Sequence, residues 1–105
     1  MKNHIYRGVR NGVAGGGKVT CDGKLLNPRR DLRNHSPDGF NWSYGGSGPA
    51  QLALAILARE FDDGFALEHY QEFKWAVISL IHSDEWRMTS QYIRESFKIA
   101  ETQSQ

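Results

Sequence analysis

The sequence predicts an α+β domain, with an N-terminal antiparallel β-meander of about three strands followed by three α-helices. Three observations carry this. Asp22-Gly23 separates two short β-prone runs near the N-terminus. Leu52 to Ala58 is an unbroken apolar run. Ala66, Tyr70, Phe73, Val77, Leu80 and Ile81 recur at helical spacing. A chain of 105 residues has room for one domain, expected over residues 1–105.

His4 to Arg10 alternates Ile5 and Val9 with polar neighbours and reads as the first strand. Residues 11–17 hold four glycines, costly to order, and read as a flexible loop. Lys18–Cys21 and Lys24–Leu26 flank Asp22-Gly23, the signature of a hairpin whose two turn residues take positive φ. Residues 27–39 read as irregular, punctuated by Asn27-Pro28 and Ser36-Pro37-Asp38-Gly39. Phe40, Trp42 and Tyr44 alternate with polar residues, which predicts an extended segment with three rings on one face. Pro49 suits the first position of a helix that is apolar on all sides and therefore buried centrally. Phe61-Asp62-Asp63-Gly64 ends it and supplies an Asp cap for a second helix running from Phe65 to about His82. A third helix starts near Thr89, stapled by Met88 and Ile93, with Ile93, Phe97 and Ala100 as its buried stripe. The tail 101–105 is expected to fray. The first helix should lie against the sheet, with the second packed across it.

Composition narrows the function classes. Lys plus Arg number 13 against 12 Asp plus Glu, so any anionic partner must be met by a local patch. The single Cys21 excludes an internal disulfide framework and a multi-cysteine zinc site. His4, His35, His69 and His82 fall on different elements without metal-ligand spacing, so no metal or cofactor is expected. The N-terminus has no hydrophobic leader pattern, and no run reaches the roughly 20 apolar residues of a spanning helix. A cytoplasmic location, with no membrane partner, is the expectation.

The most informative segment is Tyr44-Gly45-Gly46-Ser47-Gly48-Pro49. An extended segment feeding a glycine-rich turn into a helix aims backbone amides and the positive end of the dipole at one point, which suits a phosphate or carboxylate. Gly45, Gly46, Ser47 and Gly48 are the expected donors, with Arg29, Arg30, Arg33 and His35 for charge and Trp42 and Tyr44 for stacking. The opposing reading is that the glycines only allow close packing and the rings belong to the core. The segment lacks the Walker and dinucleotide spacings. Ser47 lacks the closing glycine of a nucleophile elbow. Glu60, Asp62 and Asp63 read as a cap and solvated surface. A helix-turn-helix over residues 50–75 would turn Glu68 and Glu72 toward phosphates, so sequence-specific DNA binding is not expected.

The run from His35 to Ala55, through Phe40, Trp42 and Tyr44-Gly45-Gly46-Ser47-Gly48-Pro49-Ala50-Gln51-Leu52-Ala53-Leu54-Ala55, resembles the signature of an uncharacterised family of short bacterial, phage and mobile-element proteins. The likeness continues through Ala66-Leu67, Tyr70-Gln71, Phe73-Lys74, Trp86 and Thr89, and back to Tyr6 and Gly8; Ser43 stands where the family often has Gly. Such company implies a host-interaction or anti-defence role. The expected function is a small non-enzymatic binding protein or inhibitor that occupies a host protein, such as a defence component, or an anionic nucleotide. The alternative is a nucleotide-acting enzyme, since Tyr6-Arg7-Gly8 resembles the opening motif of ADP-ribosyltransferases, working with the Gly45–Gly48 segment. Self-association is left open.

Overall fold

The computed structural model describes residues 3–11 and 16–103. Most of the expected loop (12–15), the side chain of Ala100 and the end of the tail lie outside the described residues. The elements are β1 (Ile5–Arg10), β2 (Gly17–Cys21), β3 (Lys24–Leu25), α1 (Ser47–Glu60), α2 (Asp63–Ala76), a 3-10 turn (Ile78–Leu80), β4 (Glu85–Thr89) and α3 (Ser90–Gln103). The α+β class is as expected, with one strand more. β4 returns from the helical half and pairs with β1, giving a four-stranded antiparallel sheet in the order β3-β2-β1-β4.

The β2–β3 hairpin forms where Asp22-Gly23 places it, with φ of 53° and 84° at the two turn residues. In β1 the phase of burial is the reverse of the hydropathy pattern. Tyr6, Gly8 and Arg10 are buried, while Val9 is exposed. Gly8 is buried because a Cβ there would meet the indole of Trp86 at 2.3 Å, so the ring lies directly on the strand. Arg10 is buried because its hydrogen bonds are met. It donates to Asn41 Oδ1 and the Trp42 carbonyl at 2.7 Å, Ser43 Oγ at 2.6 Å and Asp84 Oδ1 at 3.1 Å. Its guanidinium also sits 4.7 Å above the Trp42 ring.

α1 is the centre of the molecule. Leu52 through Leu57 are fully buried, as an all-apolar helix requires. It starts at Ser47 with Gly46 as N-cap, which puts Pro49 in the third helical position instead of the first. Its far end meets the sheet through Tyr6, whose hydroxyl donates to Glu60 at 2.9 Å. Asp62 caps α2 by accepting from the Phe65 amide at 2.8 Å. α2 stops at Ala76 instead of His82. The Ile78 carbonyl takes the Ser43 amide at 3.2 Å, and the Ser43 hydroxyl donates to the Ile81 carbonyl. These long-range bonds draw 77–81 out of the helix toward β4. Thr89 Oγ1 caps α3 at the Tyr92 amide, and Phe97 packs among Phe61, Phe65 and Phe73. Among the described residues no helix is long and apolar enough to cross a membrane.

Candidate functional site

The residues expected to form one anion cradle are divided by the fold between two concavities and the core. The glycine turn borders a groove of about 280 Å³ at the start of α1, lined by Tyr44, Ser47 and Gly48 together with Ser36, Asp38 and Asn41. Its packing explains its glycines. A Cβ on Gly45 would meet Trp75 at 2.1 Å, on Gly46 the Tyr44 ring at 2.4 Å, and on Gly48 the Asn41 Cβ at 2.8 Å. Asp38 sets a carboxylate in this groove, which opposes an anion.

The expected cations lie elsewhere. Arg30 donates to the Ser36 and Pro37 carbonyls, and Arg33 to that of Leu32. His35 Nε2 meets the Tyr70 hydroxyl at 2.7 Å. Trp42 has no exposed surface and donates from Nε1 to the Ser83 carbonyl, so it offers no face for stacking. Only Phe40 and Trp42 of the three rings are buried; Tyr44 is exposed, because Ser43 at φ 83° breaks the extended segment. Tyr6, Arg7 and Gly8 do not join the glycine turn. Tyr6 is buried, and Arg7 points to the opposite face of the sheet. Burial and the adjacent Glu60 carboxylate push the Tyr6 phenol far above its usual range, so it remains a donor.

Gln51 shows what the signature run does structurally. Fully buried, it accepts from the His35 and Ser36 amides and donates to the Pro28 and Arg33 carbonyls at 2.6 and 3.0 Å. One side chain thus fastens the irregular 28–36 segment to α1.

Arg29 of that segment lines the second concavity, a cleft of about 350 Å³ between β3 and α1. Ala55 and Arg59, one turn apart, line its helical side. Cys21 and Lys24 line it from the hairpin, and Leu25, Leu26, Asn27 and Arg29 close it. Arg29 takes φ 55°, a left-handed conformation supported by Asn27 Oδ1, which accepts its amide at 2.9 Å. Its guanidinium is held by Asp31 and Asp63, each at 3.0 Å. The hydrogen bonds from Arg29 hold the Asp31 carboxyl below the usual carboxylate range. Lys24 and Arg59 form no ion pair among the described residues. Sequence reading missed both, because a single cation beside a hairpin or in the last turn of a helix is ordinary surface until the fold brings it to a concavity. The same hairpin carries Cys21 and Asp22 up to His4, a grouping that linear spacing does not reveal.

A model of a family of unknown function, DUF6166, matches residues 6–99. The chain belongs to that family. No curated protein and no solved structure shows significant similarity to it. The matched span of the DUF6166 chain runs from β1 through α3, so it takes in β4 along with the meander and the helices.

Proposed function

We propose that this DUF6166 protein is a non-enzymatic binding protein that captures an anion with an apolar body, of the nucleotide class, in the cleft between β3 and α1. The observation that carries this is the meeting of Lys24 and Arg59 at one concavity, without carboxylate partners among the described residues, beside a pre-positioned Arg29. An incoming anion would gain charge-assisted bonds there without first breaking ion pairs of Lys24 or Arg59. Leu25 and Leu26 supply an apolar wall for the rest of the ligand. Two candidate nucleophiles favour binding over catalysis: among the described residues no histidine or carboxylate is hydrogen-bonded to Ser47, and burial followed by the Asp22 charge raises the Cys21 thiol.

Calorimetric titration with ATP, and separately with inorganic phosphate, in low salt with chelator present tests this. Saturable nucleotide binding is expected, weakened about tenfold by Arg59→Ala or Lys24→Ala, as a lost charge-assisted bond requires. Binding that is absent, or unchanged in the double variant, overturns it.

A second reading has its own observation. The end of α2, the 3-10 turn, β4 and α3 enclose a groove of about 370 Å³, beside which Leu80 and Tyr92 are 62% and 51% exposed. The resemblance to phage and mobile-element proteins makes a host protein, such as a defence component, the partner to seek there. Leu80→Asp should abolish capture of that partner and leave nucleotide binding intact.

A further inference from the structure

The start of β1 and the β2–β3 turn bring three different donor atoms together. A ring nitrogen of His4, the Sγ of Cys21 and a carboxylate oxygen of Asp22 all lie within 4.8 Å of one another, and no second such group exists among the described residues. We propose that His4, Cys21 and Asp22 form a binding site for a zinc-type divalent ion, with one coordination position left open.

The backbone fixes each donor in advance. Asp22 takes φ 53° as the first residue of the turn, and its side chain folds back over the start of β1. There Oδ1 accepts the Ile5 amide at 2.9 Å and Oδ2 meets His4 Nδ1 at 2.6 Å. Cys21 pairs with Tyr6 across the ladder, and His4, two residues before Tyr6, shares its face of the sheet. His4 is anchored at both backbone groups: its amide donates to Ser90 Oγ at 2.7 Å, and its carbonyl accepts the Ser90 amide at 2.9 Å. The triad therefore rests on β1, the hairpin and the first residue of α3 together.

Donor chemistry selects the ion. One thiolate, one imidazole and one carboxylate suit Zn²⁺ or Co²⁺, whereas Mg²⁺ and Ca²⁺ require oxygen ligands throughout. Tetrahedral zinc with bonds of about 2.0–2.3 Å spaces its donors roughly 3.3–3.8 Å apart. The His4–Asp22 contact of 2.6 Å would open to that spacing. On binding, the thiol proton passes to solvent, and the imidazole coordinates through a nitrogen that carries no proton. The ion has a way in from solvent, since the Asp22 side chain is 41% exposed.

The test is a titration of the metal-stripped full chain with Co²⁺, without nucleotide or phosphate, so that its outcome is independent of the anion-binding reading. A stoichiometric thiolate-to-cobalt charge-transfer band with the intense visible bands of four-coordinate cobalt is expected, and Zn²⁺ should bleach it. Cys21→Ser should abolish the band. His4→Gln and Asp22→Asn should each weaken binding by at least the roughly tenfold that even an outer-sphere partner carries. Asparagine tolerates the left-handed turn position, so Asp22→Asn keeps the hairpin, and melting of the metal-free variants confirms the fold. Absence of the band in the wild-type chain overturns the proposal. So does a band that Asp22→Asn and His4→Gln leave unchanged, which would mean that the thiol acts alone.

Discussion

At the scale of single residues, close approach of ring and backbone sets the tolerance of the glycines, and the surroundings of the ring set the cost of violating it. A Cβ on Gly17 would meet Trp42, and one on Gly45 would meet Trp75, both at 2.1 Å. Trp42 has no exposed surface, whereas Trp75 is 60% exposed and can swing away. Gly17→Ala should therefore destabilise by about 1–3 kcal/mol, as overpacking in a core does. Gly45→Ala should stay within about 0.5 kcal/mol. Urea denaturation of the two variants side by side checks the contrast, and equal costs would contradict it. Gln51 poses the opposite problem, since removing it leaves two amides and two carbonyls without their partner. Gln51→Ala should cost about 2–4 kcal/mol, because buried polar groups lose their bonds. Limited proteolysis should then cut first within residues 28–36.

At the scale of elements, legibility in the sequence divides by the range of the interactions. The hairpin at Asp22-Gly23, the buried α1 and the Asp62 and Thr89 caps all arise within a few residues, and each was readable. β4 was not read, although Trp86 and Met88 alternate as a strand would, because the helical spacing of the residues before it ran on through Ile81. What ends α2 is Ser43, more than thirty residues away, and no local pattern contains that. The burial phase of β1 was hidden for a similar reason. Hydropathy assigns Val9 to the core and Arg10 to water, while the fold reverses them through partners at 41–43 and 84. Of the candidate site, Arg29 was legible as charge, but its union with Lys24 and Arg59 depends on how the hairpin seats on α1. The outer face of the sheet gives a further prediction. Arg7 stands directly opposite Arg87, both are exposed, and neither has an ion-pair partner among the described residues. Like charges in that position repel, so Arg87→Glu should raise stability by roughly 0.2–1 kcal/mol, an increment that shrinks in high salt. Thermal melts at two ionic strengths measure it.

At the scale of the whole molecule, two buried charges join the sheet to the helices. Arg10 ties β1 to the segment before α1 and to the approach to β4. Glu60, its side chain 1% exposed, accepts from Tyr6 of β1 and from Ser90 and Arg94 of α3, the last at 3.1 Å. Glu60→Ala strands three donors at once and should cost roughly 3 kcal/mol, as breaking a buried pair does. The urea midpoint should fall with little change in slope if the molecule unfolds as one unit. A midpoint shift confined to α3 fluorescence or exchange would instead mean that the C-terminal helix is a separate cooperative layer. The radius of gyration of 12.8 Å is close to that of a compact chain of this size, in keeping with a single unit.

The return of β4 to β1 has a consequence for biosynthesis. β1 leaves the ribosome before its partner on one side, Glu85–Thr89, has been translated. Until then a growing polypeptide shows a bare flank of β1 to its neighbours on the same message, the kind of flank that recruits strands from other copies. A nascent chain halted before Glu85 should therefore pair with its siblings, and once β4 is made it covers that flank of β1 and becomes the edge of the sheet in its place.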